Sequence, residues 1–256
     1  ILRLWVASSD YKTDIRISKE LLKQLSEVYR KIRNTSRYIL GNIHDFNPDT
    51  DMVKYDELEE LDKWALMRLS QLIKKVDEAY GSYEFHMMFH AIHNFCVVDM
   101  SNFYLDIIKD RLYTSKADSK ERRAAQSVMY EILDSLVRML APVLAFTSEE
   151  IWQHMPHREA DDKESIQLNS WPILNEKYLD SKLEEKWNKI LDLRSDVSKA
   201  LEIARADKTI GLSLNAKVKV YADEKAYDFI KSIEDKLATI FITSGFELKK
   251  ADETPS

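Results

Sequence analysis

A single cysteine, Cys96, leaves no partner for an internal disulfide and no ligand set for a cysteine-rich zinc knuckle. Only four glycines and five prolines punctuate the 256 residues. That is too few for the turns of a sandwich or barrel, and it suits long helices. No apolar run approaches the roughly 20 residues needed to cross a bilayer. The N-terminus has no charged-then-apolar leader. Together these absences lead us to expect a reducing, cytoplasmic setting. The glycines stand alone at 41, 81, 211 and 245, so no phosphate-cradling loop is present. No Gly-x-Ser-x-Gly elbow and no Cys/His pair offers a nucleophile. No catalytic residue, metal or cofactor is therefore assigned to this chain.

What is there is a well-solvated sequence with enough apolar residues, 45%, to bury a core. Its net charge of −6 argues against a generic nucleic-acid coat protein. Distribution matters more than the sum, however. Residues 19–37 carry Lys19, Lys23, Arg30, Lys31, Arg33 and Arg37 against Glu20 and Glu27. Residues 109–123 carry Lys109, Arg111, Lys116, Lys120, Arg122 and Arg123 against Asp110, Asp118 and Glu121. Acidic residues cluster elsewhere, at 56–62 and 159–164. Either basic stretch alone reads as a solvated helix face; two that meet at one end of a bundle read as a surface for a polyanion.

The periodicity predicts a bundle. Ser18 is placed to cap a helix of about 25 residues whose stripe is Leu21, Leu25, Val28, Ile32, Ile39 and Ile43. Gly41 comes too early to stop it cleanly, so Asn47-Pro48-Asp49 is the expected end. A second helix buries Leu58, Leu61, Trp64, Leu72 and Val76 and breaks at Gly81. A third runs from about Glu84 to Leu112 and buries Phe85, Phe89, Ile92, Cys96, Phe103 and Ile107. A fourth holds Val128, Ile132, Leu136 and Leu140, with Pro142 kinking or ending it. Thr147-Ser148-Glu149-Glu150 has the spacing of a capping box opening a short fifth helix. Such a pattern describes an up-and-down bundle over 18–180, with 1–17 as a lead-in. From about residue 181 a helix through Trp187, Ile190, Val197 and Leu201 is followed by period-two alternation from Leu212 to Val220, which is a half-buried strand. A helix near 224–237 and a strand near 239–248 would complete a small α+β unit over 181–256.

Two constellations stand out. His86, His90 and His93, spaced i, i+4, i+7, put three imidazoles along one side of a helix, enough for three metal ligands. That side flanks an apolar stripe and no neighbouring carboxylate completes a tetrahedron, so boundary histidines are the preferred reading, with a metal-binding bundle as the alternative. The second is the run Phe95-Cys96-Val97-Val98-Asp99-Met100-Ser101-Asn102-Phe103-Tyr104, which embeds Asp99, Ser101 and Asn102 among aromatic residues and leads to the basic, aromatic tip Lys109-Asp110-Arg111-Leu112-Tyr113. A carboxylate there needs an internal cation or donor.

That run, with Arg30-Lys31-Ile32-Arg33-Asn34-Thr35-Ser36-Arg37-Tyr38, Arg122-Arg123-Ala124-Ala125-Gln126, Leu140-Ala141-Pro142 through Trp152, Trp171-Pro172 and Lys208-Thr209-Ile210-Gly211-Leu212, resembles in content and order the C-terminal half of isoleucyl-tRNA synthetases, with the class I anticodon-binding bundle. Ile1–Ser18 is similar to the stretch that follows the family's Lys-Met-Ser-Lys-Ser loop. The abrupt apolar start without Met leads us to expect a piece of a larger enzyme. The resemblance implies a mainly α bundle followed by a small α+β unit. The piece would be non-catalytic, recognising the tRNA(Ile) anticodon stem-loop as a monomer. Ligation of isoleucine with ATP and Mg would fall to the absent catalytic module, and editing to another. Many bacterial members also end in a four-cysteine zinc module, and this chain stops before it.

On this reading Arg30, Arg33, Asn34 and Arg37, spaced 3 and 4 apart on one helix face, contact bases and phosphates. Lys109, Arg111 and Tyr113 face them from the third-helix tip, and Arg122 and Arg123 come next as phosphate contacts. Bland readings stand beside these. Arg33 and Asn34 can instead serve Asp99 or Ser101 inside the bundle, and Tyr113 can be ordinary packing. For the whole chain the alternatives are a valyl-tRNA synthetase fragment and a helical protein-interaction module without an RNA role.

Overall fold

A short helix, α1 (Leu2–Ser8), precedes the first long one, α2 (Lys19–Asn42). In the computed structural model, which describes residues 1–251, Ser18 caps α2 by accepting the backbone N–H of Leu21 at 3.1 Å. A cap of this kind is worth about 1 kcal/mol. The helix stops at Asn42, earlier than Asn47-Pro48-Asp49, and the Asn42 side chain folds back to the Tyr38 carbonyl at 2.8 Å. Ile43 and Phe46 are buried in the following turn, which is why the apolar spacing outruns the helix.

α3 (Glu60–Gly81) ends at its glycine and is followed by Tyr83 in a left-handed conformation, φ 61°. α4 (Phe85–Asn94) does not continue as one uniform helix to Leu112. Residues Phe95–Tyr104 widen into a π-helix, α5 (Leu105–Ile107) resumes the α form, and a break at Ile108 precedes α6 (Lys109–Thr114). The π-helical stretch buries Phe95-Cys96, Asp99-Met100 and Phe103-Tyr104.

α7 (Lys120–Leu140), capped by Ser119, is buried along most of its length and ends before Pro142. α8 (Ala145–Trp152) starts two residues ahead of Thr147, and the capping box does not form. Three of its four residues have outward duties instead. The Thr147 and Tyr29 hydroxyls lie 3.0 Å apart, the Glu149 carboxylate accepts from Ser165 Oγ at 2.7 Å, and Glu150 faces Arg33. Trp64, Trp152, Tyr104 and Tyr130 anchor the core, with Phe103 edge-on to Trp64 at 4.9 Å. The lead-in is tied on by Arg3, whose Nε donates to the Val143 carbonyl at 2.7 Å.

The chain divides into two units, Ile1–Asp180 and Ser181–Ser256. In the second, α9 (Ser181–Ala206) precedes strand β1 (Lys217–Ala222), helices α10 (Glu224–Lys231) and α11 (Glu234–Phe241), and strand β2 (Gly245–Lys250). The two strands pair in parallel, Lys217 opposite Gly245, so a helical crossover between them is required. Only the second half of the Leu212–Val220 alternation is strand. Ser213–Asn215 forms a tight turn, closed by the Leu212 N–H donating to the Asn215 side chain at 3.1 Å, and Leu212 and Leu214 are exposed. The expected single helix at 224–237 is two, divided at Ser232-Ile233. No helix among the described residues is long and apolar enough to cross a membrane.

Candidate nucleic-acid interface

α2 buries Leu25, Ile32, Thr35, Ser36 and Ile39 and turns Arg30, Arg33, Asn34 and Arg37 to solvent as one ridge. Their engagements differ. Arg30 pairs with Glu27 one turn back, and Arg33 reaches Glu150 of α8 at 3.8 Å, both in exposed surroundings. Asn34 and Arg37 make no side-chain hydrogen bond or ion pair among the described residues. Neither Arg33 nor Asn34 serves the interior. Asp99 is held by Arg68 of α3, whose Nη2 and Nε lie 3.1 and 3.3 Å from Oδ2, and Ser101 meets Thr35 at 2.9 Å. Burial pushes the Asp99 carboxyl up, and Arg68 offsets part of that.

The α6 tip meets this ridge through tyrosine. The Tyr113 hydroxyl donates to that of Tyr38 at 3.4 Å, and Tyr38 donates to the Leu105 carbonyl at 3.5 Å. Burial first, then Tyr113, pushes the Tyr38 phenol up, so it stays neutral. Tyr113 itself is 63% exposed, with its ring available for stacking. Lys109 is exposed and paired one turn back with Asp106. Tyr38 belongs to the site and was not singled out from the sequence. Its place beside Arg37 was the available signal, but its role depends on a partner 75 residues away.

Three expected contacts are placed elsewhere. The Arg111 guanidinium donates from both terminal nitrogens to Asp62 at 2.7 and 2.8 Å. Asp62 is 0% exposed and Arg111 16%, and Tyr104 Oη also donates to Asp62 at 2.7 Å. Arg122 clasps Asp45 in the same two-pronged way at 2.6 and 2.9 Å and also reaches the Ala117 carbonyl. Arg123 donates to the Asp45 carbonyl and to Gln126, with Asp51 at 3.5 Å. The Arg122 guanidinium is the main reason the Asp45 carboxyl sits well below the ordinary carboxylate range. These three arginines tie α3 to α6 and the start of α7 to the turn after α2. They are not free for a ligand.

The histidines sit as boundary residues against the core. His93 stacks on Phe89 at 6.3 Å with an interplanar angle of 12°, and His90 meets the same ring edge-on at 5.2 Å. Among the described residues no group of three His, Cys, Asp or Glu side chains can hold a metal ion. The isolated glycines supply no glycine-rich phosphate loop. Burial pushes the Cys96 thiol up to about 12, which makes it an inert core group. The arrangement is equipped to bind through cations, an amide and a ring.

Residues 62–220 match the family model for the anticodon-binding domain of tRNA ligases. Isoleucine–tRNA ligases of Natranaerobius thermophilus and Caldanaerobacter subterraneus are each 56% identical over 253 residues, covering 99% of this chain and 27% of theirs. That of Desulforamulus reducens is 53% identical over 256 residues. The chain thus spans about a quarter of the length of these relatives, at 27%. A crystal structure of an Agrobacterium radiobacter LeuRS–tRNA–LeuAMS complex overlays on 70% of this chain and 20% of its own, at 17% identity and a TM-score of 0.48, too weak a likeness to argue from.

Proposed function

The chain belongs to the anticodon-binding domain family of tRNA ligases, and from that premise we propose that it is the tRNA-reading part of an isoleucine–tRNA ligase. It grips the anticodon stem-loop of tRNA(Ile) as a monomer, while the rest of the enzyme ligates isoleucine. The bundle over 18–180 carries the grip, 1–17 joins it to the catalytic region, and the unit from 181 is an accessory.

The observation that carries this reading is the α2 ridge, where Asn34 and Arg37 are exposed and have no side-chain partner among the described residues, beside a 63% exposed Tyr113. Arg37 meets a phosphate without first leaving a carboxylate. Arg30, Arg33 and Lys109 sit in exposed pairs worth about 0–1 kcal/mol, so exchanging a carboxylate for a phosphate costs little. Asn34 presents a donor and an acceptor to a base edge, and Tyr113 offers a stacking face to an unpaired base.

Binding of two stem-loops, one with an isoleucine anticodon and one scrambled at those bases, tests the reading. Four phosphate contacts at a slope of about −0.7 each predict a loss of roughly 50-fold in affinity between 50 and 200 mM salt. Arg37→Ala should weaken binding and leave the melting temperature unchanged. Salt-insensitive binding, or none, would refute the proposal. Equal binding of both stem-loops would confine this chain to electrostatic grip and place base reading elsewhere in the enzyme.

A further inference from the structure

Beside the ridge, on the flank of the bundle where α3 and α4 pack, lies a polar pocket of about 490 Å³ whose wall includes Arg68, Lys75, His90, His93, Asn94 and Asp99. None of the residues assigned above to RNA contact lines it. The π-helix helps to shape it. Bonding from i to i+5 places Asp99 one wide turn beyond Asn94, so both face the same side.

The charges in the pocket do not cancel. Arg68 lies across the Asp99 carboxylate, with two nitrogens on Oδ2, and neutralises it. Lys75 is exposed and makes no ion pair among the described residues, which leaves one net cation. A second cation without an ion pair among the described residues, Lys31 of α2, lies close enough to His93 to disfavour its charged form; burial does so more strongly. Lys31 and Asn34 are one turn apart on α2, so the pocket borders the ridge. The neutral His93 ring also has an unmet need, since its Nε2 is buried and has no hydrogen-bond partner. A buried polar atom without a partner costs about 1–3 kcal/mol, a cost that a ligand removes.

We propose that this pocket takes a backbone phosphate of the RNA strand running off the α2 ridge, with Lys75 as its cation and the His93 ring and the Asn94 amide as donors. The inference rests on the RNA-binding reading and extends the footprint from α2 across α4 to α3. An acceptor-only, strand-borne anion fits the donor set: one unpaired cation, an amide and an imidazole in its Nε2–H form.

The test uses the 256-residue chain and the isoleucine-anticodon stem-loop, with affinity measured by fluorescence anisotropy at 50 and 200 mM salt. Lys75→Ala, at an exposed position, removes one phosphate contact. It should weaken binding several-fold at 50 mM and reduce the fall between the two salts by about 2.6-fold, the share of a single contact. His93→Phe keeps the ring on Phe89 and removes the donor. It should weaken binding by a similar factor at both salts, because no charge is lost. Unchanged affinity and salt dependence in Lys75→Ala, while Arg37→Ala weakens binding, would overturn the pocket and leave the ridge standing. A parent chain that binds no RNA at either salt would remove the underlying reading and this inference with it.

Discussion

Arg111→Ala separates two accounts of the same residue. If Arg111 were a surface contact for RNA, its loss would weaken binding and spare the fold. In the structure it completes a two-pronged pair with Asp62, which is 0% exposed. Removing the guanidinium leaves a buried carboxylate with the Tyr104 hydroxyl as its remaining donor of those described above. Breaking a buried pair from one side costs about 3–5 kcal/mol, because the orphaned charge stays behind. Each kcal/mol moves the melting temperature of a chain this size by about 2–4 °C, so a fall of roughly 6–20 °C is expected. Circular dichroism on heating reads it directly. The second variant, Asp62→Leu/Arg111→Met, exchanges both charges for apolar groups and should recover much of the loss, since replacing a buried pair whole is often neutral. A single variant that melts within 1 °C of the parent yet binds the stem-loop more weakly would refute the argument and return Arg111 to the interface.

Tyr113→Phe should hold stem-loop affinity within about twofold, because the stacking face survives. Tyr113→Ala should lose the roughly 1–3 kcal/mol of one stacked base; equal effects would mean that the hydroxyl bond to Tyr38 is what matters. Asp45 carries a pH signature. Its carboxyl is depressed below the ordinary 3.8 chiefly by Arg122, so the stability it supplies is fully present above pH 3.8 and is lost as pH falls through the lower folded value. Asp45→Asn should therefore destabilise the chain to urea at pH 7, with a gap that closes as the pH is lowered through that window; a gap constant down to pH 2 would contradict the assignment.

Local features were legible in the sequence wherever a short-range rule governs them. Ser18 and the apolar stripe set α2 and its buried face, Gly81 set the end of α3, and Pro142 the end of α7. The errors have specific causes. Reading Phe95–Tyr104 at the α period of 3.6 hid the π-helix. Thr147-Ser148-Glu149-Glu150 has capping-box spacing, but Tyr29, Arg33 and Ser165, all distant in sequence, claim three of its side chains. The alternation at Leu212 and Leu214 is a turn because Asn215 bonds back onto Leu212.

The candidate site shows the same limit more sharply, because an arginine's role is set by whether a carboxylate lies across from it. Arg37 and Arg111 look alike in sequence: each is basic, within two residues of a tyrosine, near a helix end. One has no partner among the described residues, while the other meets Asp62 across 49 positions of chain. Arg122 meets Asp45 across 77. A net charge of −6 is thus no obstacle to binding a polyanion. Several carboxylates, Asp99, Asp62 and Asp45, are paired inside the bundle with Arg68, Arg111, Arg122 and Arg123, so the net charge does not report which cations stay exposed. Those pairs lie in the interior, and the exposed cations of the α2 ridge, Lys109 and Lys75 are the ones a phosphate can reach. Removing an interior arginine should therefore act through melting temperature, and removing an unpaired cation through the salt dependence of binding. Measuring both on one set of variants sorts every basic residue named here into one class or the other.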